Sequence, residues 1–221
     1  MYVKDKMSTD LITVYSNYSV STALDLMQSN HLHRLPVVDK NNALVGLVTE
    51  SLVIKNTPNN ASTLSVFEMN YLLNKVKISD IMIKAKDVYT IAEDALLEEA
   101  ASLMREHDIG CLPVLDGSKV IGIITHNDIF EAFIDMLGYH INGTRYVIAI
   151  DKDVPGVLEA IASCFSKLDL SISNLSVLKT PRGIEVVVIE KGYDTDASKA
   201  LKEAGFNVTS ITKLNENDRK Q

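Results

Sequence analysis

Apolar residues recur along the first 137 positions in two rhythms, a helical one near 3.6 and a strand one near 2, and the same succession of rhythms occurs twice. The first copy contains LMQSNHLHRLPVVDKNNALVGLVTESL and the second LMREHDIGCLPVLDGSKVIGIITHNDI, about 77 residues further on. Leu26 and Met27 match Leu103 and Met104, Leu35-Pro36-Val37 match Leu112-Pro113-Val114, Asp39 matches Asp116, and Gly46 and Thr49 match Gly122 and Thr125. In the first copy the pattern predicts a helix over 19–30, strands over 35–38 and 43–48, and a second helix over 50–55. In the second copy Ala95, Leu96, Ala100 and Leu103 give a helical stripe, Leu112 to Leu115 a strand, Asp116-Gly117 a turn, and Val120 to Ile124 another strand. So few strands cannot close a core alone, and the two copies are expected to pack side by side.

After a break between Gly138 and Gly143 the pattern changes to TRYVIAID, a helix, NLSVLKT, GIEVVVIEKG, a second helix and VTSITKL, which is a βαββαβ order. The first of these helices is expected to bury Val157, Leu158, Ile161, Ala162, Phe165 and Leu168. The second offers Ala197, Leu201 and Ala204 and stops at Gly205, a residue suited to the left-handed turn after a helix. Two helices on one sheet face make a ferredoxin-like sandwich, and the whole chain reads as α+β. The expected organisation is a first repeat over 1–60, a connection over 61–78, a second repeat over 79–137, a linker over 138–143, the βαββαβ domain over 144–214 and a polar tail over 215–221.

The order of helix, LPV strand, Gly-containing strand and Thr-started helix resembles a tandem CBS (Bateman) module, over roughly residues 1–137. The segment SVFEMNYLLNKVKISDIM is similar to the inter-repeat connection of the acetoin-utilisation (AcuB-type) proteins. The βαββαβ order, with Asp153-Val154-Pro155-Gly156-Val157-Leu158 at its strand-to-helix junction, resembles an ACT domain, in which such junctions often bind amino acids or similar metabolites. That resemblance makes Asp153, Gly156 and Val157 candidate ligand residues, with Asn174 on the next strand facing the same pocket; a purely structural turn is the alternative.

In the CBS family the Gly-h-h-Thr/Ser-x-x-Asp segment is a nucleotide-binding motif, and here GIITHND supplies Gly122, Thr125 and Asp128. An ionised Asp has only acceptors and can take both ribose hydroxyl protons, while a Thr hydroxyl one turn back can donate to or accept from the sugar or phosphate. Both residues equally suit capping a surface helix. The first copy keeps Gly46 and Thr49 but places Leu52 where Asp128 stands, so its own site is expected to be empty or to bind something without a diol. The first copy instead carries His33-Arg34 before its LPV strand, where the second has Gly110-Cys111. The resemblance implies that a basic residue there reaches the phosphate of a nucleotide whose ribose sits on the other repeat. It thus pairs Arg34, and His33, with Thr125 and Asp128, and borders the base with Thr90 and the backbone near Leu112, next to Pro113. A solvent-facing strand edge is the plain account of His33 and Arg34.

Charge and composition narrow the picture further. A formal charge of −7 argues against a DNA- or RNA-binding face, which needs clustered Lys and Arg. Cys111 and Cys164 lie far apart and outside CxxC spacing, which suggests two buried thiols. His31-Leu32-His33 lacks an acidic or Cys partner at useful spacing, so no metal site is expected. The opening MYVKDKMSTD puts charges where a signal peptide needs apolar residues, and no run reaches bilayer-spanning length, so a cytoplasmic protein without a membrane partner is expected. No HExxH, GxSxG, GxxxxGK[ST] or GxGxxG motif is present. The sequence therefore reads as a non-enzymatic regulatory sensor with no obligatory cofactor, taking AMP, ADP, ATP or S-adenosylmethionine as regulatory ligand. It would work as a homodimer, or a tetramer, acting on a metabolic enzyme. The alternative is a ligand-free oligomerisation scaffold of an acetoin or related carbon-metabolism system.

Overall fold

The computed structural model describes residues 1–56, 73–152, 154–181, 183–193 and 196–214. Most of the expected connection over 61–78, Asp153 and the tail over 215–221 lie outside the described residues. The chain divides into two compact units, Met1–Ile129 and Phe130–Gln221.

In the first unit each repeat builds the same small sheet. The first repeat has β1 (Val14–Tyr15), α1 (Val20–Ser29), β2 (Arg34–Val38), β3 (Leu44–Thr49) and α2 (Glu50–Asn56). The second has α3 (Ile78–Ile81), β4 (Ile83–Lys84), β5 (Ile91–Ala92), α4 (Leu97–His107), β6 (Cys111–Asp116), β7 (Lys119–Thr125) and α5 (His126–Met136). In both, a two-residue strand runs parallel to the LPV strand, which pairs antiparallel with the glycine-containing strand. The Ser19 hydroxyl starts α1 by accepting the Thr22 N–H, and the helix then buries Val20, Ala23 and Met27, spaced three and four apart, against Leu35, Val37 and Val48. The stripe of α4 is Leu97, Ala100 and Met104 rather than the expected Ala95, Leu96 and Leu103. Ala95 and Leu96 precede the helix because the N-terminus pairs there, Val3 N–H donating to the Ala95 carbonyl, and Leu96 stays 44% exposed.

The start of each repeat is laid on the other repeat. Strand β4 pairs with β3, Gly46 facing Lys84 and Leu47 facing Ile83, while Ser8 bridges Ile123 on β7. Glycine is needed at the first crossing, where a Cβ on Gly46 would stand 2.5 Å from the Ile83 carbonyl oxygen; at the second, a Cβ on Gly122 would stand 2.5 Å from Met7 Sδ, the end of a side chain that can shift.

The second unit runs β8 (Gly143–Ile150), α6 (Val157–Ser166), β9 (Ile172–Thr180), β10 (Gly183–Glu190), α7 (Asp196–Glu203) and β11 (Asn207–Leu214), with an antiparallel sheet ordered β11-β8-β10-β9. This is the ferredoxin-like βαββαβ arrangement. Helices α6 and α7 cover one sheet face, packing Ile161, Cys164, Phe165, Ala197 and Leu201 on Tyr146, Ile148, Val186 and Val188. Leu158, expected inside, is 37% exposed, and Cys164 fills the buried position a turn and a half later. Ala204 is likewise exposed, while Gly205 ends α7 at φ +87° with Phe206 N–H donating to the Leu201 carbonyl. No helix of the described residues is long and apolar enough to cross a membrane.

Candidate ligand-binding site

Because α5 begins where β7 ends, Thr125 and Asp128 face one another across the first helical turn. Thr125 donates both its backbone N–H and its hydroxyl to Asp128 Oδ2, each at 2.7 Å. Asp128 therefore caps the helix, while its Oδ1 accepts nothing among the described residues. The Thr125 hydroxyl has committed its proton and presents only lone pairs. Together the two groups form an acceptor pair, suited to hydroxyl donors and unsuited to a phosphate. Capping and ligand binding, alternatives in the sequence, are thus compatible in the structure.

These residues open onto a cleft of about 420 Å³ that also takes in Asp10, Ile12, His31, His33, Arg34 and Gly110. Arg34 starts β2, and its guanidinium lies across Gly110, where a Cβ would stand 2.7 Å from Nη1. It also hydrogen-bonds the Cys111 thiol; burial pushes that thiol's pKa up, and Arg34 only partly offsets the shift. No carboxylate of the described residues pairs with Arg34. His33 is mostly exposed, with Nδ1 2.8 Å from Glu50 Oε2.

The cleft gathers Thr125, Asp128, Arg34 and His33, but not the other four expected residues. Leu112 is a fully buried core residue on β6, and Pro113 beside it is buried too, with neither lining this cleft. Gly122 serves the crossing with Met7 and Ser8 rather than lining the cleft. Thr90 follows Asp87, Val88 and Tyr89, which line a different cleft. The segment that takes its expected place is Ser8 to Ile12 of the first repeat. Its Asp10 to Ile12 align with 87–89, so carrying the repeat alignment back to the chain's start would have found it.

The second cleft, about 560 Å³, is built on the first repeat's Thr49 and Leu52 with Lys55, Val88 and Tyr89, and it shares His33 and Arg34 with the first. Here Thr49 Oγ1 receives the Leu52 N–H at 3.3 Å and lies 3.0 Å from Ser51 Oγ, so it acts as a helix cap without a carboxylate beside it. Tyr89 stacks on His107 with ring centroids 3.9 Å apart.

In the second unit Gly156 is the N-cap of α6 at φ +93°, with open space where a side chain would be, and Val157 begins the helix. Asn174 does not join them. It sits opposite Ile189 on the sheet face away from α6, and its Nδ2 donates to the Met136 carbonyl at 2.6 Å, because strand alternation turns it from the helices. Asp153 lies outside the described residues. His140 meets Glu131 and Asp135 in an exposed group whose potential ligand atoms fall within 4.8 Å of one another, Glu131 and His140 already being bonded to each other at 3.1 Å.

Residues 3–57 and 78–135 match the CBS domain family. A CBS domain-containing protein of Dictyostelium discoideum is 33% identical over 142 residues, 61% of this chain and 92% of that protein. The match to the homoserine O-acetyltransferase of Methanococcus vannielii, 35% identical over 128 residues, takes in 58% of this chain but only 24% of that enzyme's length. Among solved structures, an acetoin utilization protein (AcuB) from Vibrio cholerae superposes with TM-score 0.53 at 27% identity, covering 63% of this chain and 95% of that one. The CBS domain pair of MJ0100, in complex with 5′-methylthioadenosine and S-adenosyl-L-methionine, superposes at 0.50 with 30% identity over 60% of this chain and 99% of its own. CBSX2 in complex with AMP superposes at 0.50 with 29% identity over 61% and 96%.

Proposed function

Because this chain belongs to the CBS domain family, we propose that it is a non-enzymatic regulatory protein whose repeat pair senses an adenosyl ligand in the cleft of Thr125, Asp128 and Arg34. The observation that carries this reading is the division of labour in that cleft. An acceptor pair fit for a ribose diol, Thr125 Oγ1 and Asp128 Oδ1, shares one cavity with an Arg34 cation that no described carboxylate neutralises. The adenosyl compounds bound by MJ0100 and CBSX2 support the ligand class. His33 adds a second basic group at the rim. In this reading the protein is a cytoplasmic homodimer, and ligand occupancy shifts the dimer between arrangements that a metabolic enzyme distinguishes. The second unit is read as ACT-like on its βαββαβ order, with Gly156 and Val157 offering a site for a second small metabolite.

The test is thermal unfolding of wild type and Asp128→Ala with AMP, ADP, ATP, S-adenosylmethionine and adenosine. A ligand with a Kd of about 10 μM, present at about 1 mM, adds roughly 2.7 kcal/mol to the native state, a shift of several degrees. A shift that disappears in Asp128→Ala supports the sensor. No shift with any of the five favours the second reading, a ligand-free scaffold, for which Leu52 in the other cleft is the specific observation.

A further inference from the structure

We propose that the second unit binds a small monocarboxylate with an apolar body, in a hollow between the C-terminal end of α5 and the sheet face that α6 and α7 leave uncovered. Val187 and Ile189 alternate with Val186 and Val188, so they point away from the helical layer. They are nevertheless only 3% and 1% exposed. Ile134, Leu137 and Tyr139 stand opposite them, and the space between is about 310 Å³. At about 30 Å³ per water-sized volume this holds on the order of ten non-hydrogen atoms, small for a ligand site and ample for a short-chain acid.

The polar chemistry of the hollow is one-signed. Among the described residues Arg145 is the only charged one lining it, and its guanidinium has neither an ion pair nor a hydrogen bond with any of them. Ser176 Oγ, on the same wall, is likewise without a described hydrogen bond and can donate to an anion. Arg145 also borders a neighbouring hollow of this face, but Asp151 and Glu185 line that one and disfavour an anion there. An anion is therefore best placed on the Leu137 side, with its apolar body against Val187 and Ile189. No carboxylate of the described residues lines the hollow to receive an ammonium group, so an amino acid should bind more weakly than the matching simple acid.

The experiment titrates the full-length protein, labelled at isoleucine methyls, with sodium hexanoate, hexanamide and leucine. Saturable hexanoate binding is expected to move the Ile134 and Ile189 methyl signals, with hexanamide and leucine weaker by about tenfold or more, as loss of a charge-assisted bond implies. Arg145→Met should erase the advantage of hexanoate over hexanamide, and Ser176→Leu, which fills the hollow and keeps the cation, should abolish binding. Equal affinity for hexanoate and hexanamide, binding unchanged in either variant, or no saturable effect of millimolar hexanoate overturns the proposal. None of these readings depends on the nucleotide cleft, whose test uses Asp128.

Discussion

Gly110 stands where the first repeat has His33, and its missing side chain is what admits the Arg34 guanidinium to the space between the two clefts. The sequence showed the asymmetry of His33-Arg34 against Gly110-Cys111. It could not show that Arg34 borders both clefts, because an alignment of repeats carries no depth. In Gly110→Ala the new methyl meets only the far end of a flexible side chain, so the fold should survive while the cation is displaced. The preference for AMP over adenosine, measured by calorimetry, should then fall about tenfold; an unchanged ratio would show that Arg34 does not hold the phosphate. The neighbouring Cys111 gives a prediction of opposite character. Burial raises its pKa above the ordinary 9.0, so the folded chain keeps a thiol proton that the unfolded chain releases. Its contribution is complete below pH 9.0 and is lost as pH climbs through the raised folded value. Denaturant unfolding across the alkaline range should show stability falling more steeply in wild type than in Cys111→Ala, and parallel curves would contradict the assignment.

Helices α2 and α5 occupy the same place in the two repeats, and the residue at the third position of each, Leu52 or Asp128, decides what each can do. At the start of α2 the Thr49 hydroxyl accepts the Leu52 N–H, whereas at the start of α5 the Asp128 carboxylate accepts both the N–H and the hydroxyl of Thr125. Asp128→Ala should therefore cost about 1 kcal/mol without any ligand, lowering the midpoint of unfolding by a few degrees. Ligand shifts must be read from that variant's own baseline. The reverse change, Leu52→Asp, places an acceptor beside Thr49 and should raise the number of adenosine molecules bound per chain, counted by calorimetry, from one to two. A count that stays at one would mean that the walls of the larger cleft reject adenosine for reasons other than Leu52. The longer elements were legible because their periods were: β2, β3, β6, β7 and α2 fall within a residue or two of the expected spans. The two-residue strands β1, β4 and β5 are too short to have a period, and the pairings that lay one repeat's start on the other, β4 on β3 and the single bridge of Ser8 to Ile123, are shorter than any readable pattern. That is why Ser8 to Ile12 was missed and Thr90 assigned in its place.

At the scale of the molecule, the glycine punctuation over 138–143 marks the end of α5, whereas the compact units part at Ile129, inside that helix. A helix's own pattern does not say which of two cores its halves join, so that division was not readable. Charge, by contrast, was readable and constrains stoichiometry. The chain carries −7, and acids line both clefts: Asp10 and Asp128 in one, Glu50, Asp87 and Asp108 in the other. A phosphorylated ligand must be drawn in against them, and the shared cation is Arg34. Lys55 borders the larger cleft but is exposed, and a hydrated ammonium on a flexible stem is a weak substitute for a planar guanidinium. The larger cleft thus has Leu52 where the smaller has Asp128 beside its Thr, and it loses the guanidinium whenever the other is occupied. The expected result is one AMP per chain, with adenosine competing for that same site and added salt weakening AMP more than adenosine. Two AMP molecules bound with similar affinity would show that neither Leu52 nor the sharing of Arg34 limits the second cleft, and the sensor would then have to be understood as reading two occupancies rather than one.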